Sequence, residues 1–135
     1  MKTLLVAIAI ISFNTSLYAQ YMLEMLWQTD TTLKAPESVR YDPNSKIFYV
    51  SNIGDFSKEG AGFISKVSSE GKIIRNDWVT GLTAPKGLGL YKNMLYAAEH
   101  KSVAVIDVNT GTVAQRIPID GAEMLNDITI DSKGI

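Results

Sequence analysis

From Ser38 onward the chain alternates apolar and polar positions with a period near two, in short runs separated by turn-forming clusters. Ser-Val-Arg-Tyr-Asp (38–42) leads into a Pro-Asn-Ser-Lys turn, and Ile-Phe-Tyr-Val-Ser-Asn (47–52) follows, rich in aromatic and β-branched residues. Residues 62–68 alternate again, Ser-Glu-Gly-Lys turns, and 73–78 form a fourth run. The succession then recurs at 86–93, 94–100, 102–108 and 113–119, with an Asn-Thr-Gly-Thr turn before the last. Each of these runs predicts a strand. No segment of a dozen residues keeps a 3.6 period, so the chain reads as all-β. The apolar stretch 21–30, with Met22, Leu23, Leu26 and Trp27, fits a helix face as well as a strand and is read as an extended lead-in.

The two successions match in their turns as well as their strands. Pro36 corresponds to Pro85, Tyr49 to Tyr96 and Gly71 to Gly111, at spacings of 40 to 49 residues. Residues 126–134 resemble the opening of a third unit, Asp131-Ser-Lys-Gly standing where Asp42-Pro-Asn-Ser stands in the first. Four short strands recurring every 40 to 50 residues predict blades of a β-propeller. A β-sandwich or a plain meander sheet shares the strand pattern but does not account for the repeated turns. On this reading the chain holds about two blades and the first strand of a third. It is the N-terminal part of a longer propeller, with open sheet faces and an edge that invite association.

The first residues change the picture of where the protein acts. Lys2, an apolar run from Leu4 to Phe13 and a polar stretch closing at Ala19 have the layout of a secretory signal peptide. The run is short for a membrane span. Residues 1–19 are therefore assigned to a signal peptide and 20–135 to the partial propeller domain, secreted or periplasmic and without a membrane anchor. With 13 Lys and Arg against 14 Asp and Glu, dispersed along the chain, nothing points to nucleic acid. There is no cysteine, hence no disulfide, thiol chemistry or lipid-modified cysteine, and packing alone holds the domain together.

In a propeller the first residues of each innermost strand face the mouth of the central channel. Here those positions are Glu37, Lys86 and the pair Asn126-Asp127. A hard cation such as Ca²⁺ takes six to eight oxygens from carboxylates, amides and water. Glu37 and Asn126 are suitable donors, two units apart along the chain. A solvent-facing Glu37 and a turn-forming Asn126-Asp127 remain equally compatible with the sequence. Lys86 reads as a channel or surface charge rather than a base. His100, the single histidine, and Glu99 beside it read as residues of an exposed connection. Tyr41, Phe48, Tyr49, Phe63, Trp78, Tyr91 and Tyr96 sit mostly at strand periodicity and are expected in the core between blades. No phosphate-binding loop, His/Cys metal cluster or Gly-x-Ser-x-Gly nucleophile motif occurs.

Residues 35–52, 84–111 and 125–134 together resemble the opening of the gluconolactonase/luciferin-regenerating-enzyme family, six-bladed Ca²⁺-dependent propellers distantly related to the paraoxonases. The resemblance implies that Glu37 and Asn126 are ligands of a divalent cation near the channel centre. It implies that Asp127 contacts substrate or holds Asn126 in place, with further ligands and the general base supplied by later blades. The implied activity is metal-assisted hydrolysis of a lactone or ester, the cation polarising the carbonyl. Two positions depart from the family pattern. Ser38-Val39 follows the glutamate where many sugar lactonases have Ser-Pro or Gly-Pro, and Met124 stands where an arginine would hold a sugar acid. The alternative function is a non-catalytic propeller that binds an extracellular protein or glycan.

Overall fold

The computed structural model describes residues 22–134; the expected signal peptide lies outside them. Eight strands form two separate four-stranded antiparallel sheets, each a simple meander. The first holds β1 (Pro36–Asp42), β2 (Ile47–Asn52), β3 (Gly62–Ser68) and β4 (Ile73–Leu82). The second holds β5 (Leu88–Tyr91), β6 (Met94–Ala98), β7 (Ser102–Asp107) and β8 (Thr112–Pro118). No helix occurs among the described residues. The all-β reading therefore holds, with two repeated four-stranded sheets and no closed sheet among the described residues.

The tight turns follow from local chemistry. The Asp42 carboxylate accepts hydrogen bonds from Asn44 N and Ser45 Oγ, and the Asp107 carboxylate from Asn109 N and Thr110 N. Lys46 and Lys92, which close the first hairpin of each sheet, both adopt a positive φ. So do Ala35 and Ala84, each just before a repeated proline, so the two units share their backbone exceptions as well as their strands.

One core lies between the sheets. Tyr49, Ile64, Val79 and Leu82 of the first pack on Leu88, Leu95, Ala97, Ala104 and Ile106 of the second. Tyr49 is fully buried there, against Trp78 at a ring separation of 5.1 Å. Lys66, opposite Tyr49 in the β2–β3 ladder, lays its ammonium 4.0 Å from the centre of the Trp78 ring. The aromatic residues do not all join this core. Phe48 points to the far face of the first sheet, because successive strand residues alternate. There it meets Tyr41 at 4.8 Å and Trp27 at 5.6 Å, and Tyr41 remains 42% exposed. The lead-in is neither helix nor strand, and Met22, Leu23, Met25 and Leu26 stand out from the body.

The repeated tyrosines point in the same sense along the stack of sheets. Tyr49 points from the first sheet into the second. Tyr96 lies across the ladder from Gly89, on the face of the second sheet turned away from the first. Residues 126–130 lie over that far face. A Cβ at Gly89 would stand 2.6 Å from Ile130 Cδ1 and 2.9 Å from Ile128 Cγ2. The second sheet is thus covered on both sides, by the first sheet and by the start of the third unit. The expected third-unit strand belongs to no ladder among the described residues. The physical reason is visible in β1 and β5, whose ladders come from the strands that follow them, β2 and β6. No such follower is described for 126–130.

Candidate functional site

The start of β1, the residues before β5 and the segment from Asn126 meet. Glu37 and Ser38 open β1, Lys86 and Gly87 precede β5, and Asn126 and Asp127 open the third unit. These six residues line one small cleft of about 200 Å³. Backbone and side-chain hydrogen bonds step from unit to unit. Ser51 Oγ donates to the Lys86 carbonyl at 2.7 Å, and Gly87 N donates to the Asn126 carbonyl at 2.9 Å. Each bond ends on a backbone carbonyl at the start of the following segment, Lys86 and then Asn126. Glycine at 87 is needed for the approach, since a Cβ there would stand 2.5 Å from Asp127 Cα.

Asn126 is returned to the cleft by the connection after β8. Ile119 N donates to the Lys101 carbonyl and Leu125 N to the His100 carbonyl, tying that connection to the β6–β7 loop. Within the cleft, Lys86 Nζ stands 3.3 Å from Asn126 Oδ1 and 3.9 Å from Met124 Sδ. Asp127 Oδ1 accepts from Ile128 N at 2.8 Å, so this carboxylate fixes its own segment and not Asn126. Lys86 is the residue that holds the Asn126 amide. Sequence reading placed it at the channel mouth but assigned the amide to Asp127.

In type, the donors suit a hard cation: two carboxylates and an amide oxygen on one cleft. The Lys86 ammonium competes for the same amide oxygen, so a cation binding there displaces it. No group of three His, Cys, Asp or Glu side chains with metal-holding geometry occurs among the described residues.

Glu99 and His100 depart most from expectation. Glu99 is not an exposed loop carboxylate; it is 2% exposed. Thr83 N and Ser102 Oγ donate to it, and Arg116 Nε pairs with it at 3.0 Å. Arg116 also donates through a terminal nitrogen to the Gly81 carbonyl. The carboxylate thereby clamps the β4–β5 connection to β7 and β8. His100 is half-buried, and its Nε2 is withdrawn from solvent without a hydrogen-bond partner.

Compared with known proteins, the chain matches no protein-family model and no curated protein.

Proposed function

We propose that the two sheets are successive blades of a β-propeller, and that the cleft between Glu37, Lys86 and Asn126 is part of its channel-mouth site. The common sense in which Tyr49 and Tyr96 point, each toward the unit that follows, carries the blade reading. In a two-sheet sandwich, equivalent faces of both sheets turn toward one shared core. Front-to-back stacking, in which each unit covers the next in the same sense, is how radial blades pack. The bonds from Ser51 of β2 to Lys86, and from Gly87 to Asn126, run in the same sense from each unit to the next. Further blades complete the ring.

The site reading is a divalent-cation-dependent hydrolase of a lactone or ester, secreted or periplasmic. The convergence of Glu37, Asn126 and Asp127 on one cleft supports it. Glu37 and Asn126 supply oxygens to a Ca²⁺-type ion, and Asp127 fixes the backbone that follows at Ile128. When bound, the ion polarises the substrate carbonyl and stabilises developing negative charge on its oxygen. Lys86, freed from Asn126, remains a cationic donor for the carboxylate product. The test is hydrolysis of simple γ- and δ-lactones by the complete propeller, with and without a chelator. Loss of turnover on chelation and in Glu37→Gln supports the reading. Turnover that survives both removes it.

One observation favours a second reading, a non-catalytic binding propeller. Lys86 already gives the Asn126 amide a cationic partner, so that oxygen is satisfied without a metal. On that reading Ca²⁺ does not bind, and lactones are not turned over.

A further inference from the structure

A second, larger cavity of about 450 Å³ opens at the same end of the sheets, further from the innermost strands. It lies among the β2–β3 loop, the β4–β5 connection, the β6–β7 loop and Arg116 of β8. The connection 83–87 divides the two hollows: Thr83 and Ala84 face the larger, Lys86 and Gly87 the smaller. The smaller one falls below the roughly 300–1,000 Å³ of ordinary small-molecule sites, and the larger one falls within that range.

Its lining has three features. Phe56 presents a ring that is 60% exposed, edge-on to His100 at 6.1 Å between ring centres. Charges balance: Asp55, Glu59 and Glu99 against Lys58, Lys101 and Arg116. Glu99 and Arg116 are spent on each other, and the Asp55 carboxylate accepts from Ser57 N and Oγ. Lys58 and Lys101 are in no ion pair among the described residues. Finally, the His100 ring forms part of the wall next to Phe56, with its Nε2 withdrawn from solvent.

We propose that this cavity binds a neutral, polyhydroxylated ring, a single pyranose unit. A charged ligand would meet as many like charges as opposite ones around the wall. A sugar ring instead uses both signs, its hydroxyls accepting from Lys58 and Lys101 and donating to Glu59. Its apolar C–H face lies on Phe56, beside the His100 ring. The site is independent of any cation at Glu37, because it shares no lining residue with the smaller cleft.

His100 is the single histidine, so its ring protons give one unambiguous NMR reporter inside the cavity. The protein is titrated with D-glucose, D-galactose, D-mannose and methyl β-D-glucopyranoside, with benzoate and benzylammonium as charged-ring controls. The expected result is a saturable shift of the His100 signal with at least one of the sugars, weakened about tenfold in Phe56→Ala. Binding of the methyl glycoside marks the end of a glycan chain as the source. Binding confined to free sugars marks a monosaccharide; both sustain the pyranose site. The proposal is overturned if no sugar shifts the signal, if benzoate or benzylammonium binds more tightly than every sugar, or if Phe56→Ala leaves sugar affinity unchanged. Urea unfolding of Phe56→Ala checks that the variant is folded; its ring is mostly exposed, so wild-type stability is expected.

Discussion

The Lys86 ammonium lies 3.3 Å from the Asn126 side-chain oxygen, joining the starts of two successive units across one cleft. This bond places a positive charge beside an oxygen that the proposed site offers to a cation. Removing the charge while keeping the stem, in Lys86→Met, is expected to tighten Ca²⁺ binding about tenfold, the effect of roughly 1.4 kcal/mol of relieved competition. Isothermal titration reads the change directly. Unchanged or weaker Ca²⁺ binding in this variant would show that Lys86 and a cation do not compete.

Gly87 tests the stacking of the third unit. Alanine there places a Cβ 2.5 Å from the Asp127 backbone, and backbone cannot yield as a side-chain tip can. Gly87→Ala is expected to lift residues 126–130 from the second sheet while leaving both sheets formed. Hydrogen exchange should find the Gly87 amide deprotected and the amides of β6 and β7 still protected.

The Glu99–Arg116 pair is expected to behave as a buried charge held by a partly exposed partner. Arg116→Met leaves the carboxylate uncompensated and is expected to cost about 2–4 kcal/mol in urea unfolding. Glu99→Gln combined with Arg116→Met should recover part of that loss, since the stranded charge is gone.

Tyr49 gives the alkaline limb of stability a definite sign. Burial raises the pKa of its phenol, and Ser45, the nearby hydroxyl, is committed to Asp42. The unfolded phenol then ionises first. Its contribution is intact below about pH 10 and is lost as pH rises from there through the raised folded value. The buried hydroxyl has no hydrogen-bond partner, so Tyr49→Phe is expected to match or exceed wild-type stability at neutral pH, by up to about 1 kcal/mol. It should also lose part of the alkaline dependence. Thermal unfolding across pH 7 to 11 measures both.

The strands were legible because a half-buried strand must alternate, and β2, β3 and β6 end within a residue or two of their sequence-predicted bounds. What alternation does not encode is which face meets which neighbour. Phe48 and Tyr49 are adjacent and chemically alike, yet one meets Trp27 on the outer face and the other is in the core. The candidate site was legible as positions, since strand starts follow from repeat spacing. The pairing was not: Lys86 and Asn126 come together only because the connection after β8 is tied back to His100. Glu99 was missed for a similar reason. A carboxylate at a strand end looks exposed until the arginine 17 residues later, on β8, folds beside it.

The most direct measurement is calorimetric Ca²⁺ titration of the protein, wild type against Glu37→Gln and Asn126→Ala. The account predicts saturable binding by the wild type, weakened at least tenfold by either substitution, with the fold unchanged by circular dichroism. Absence of binding, or binding that both variants retain in full, would contradict it.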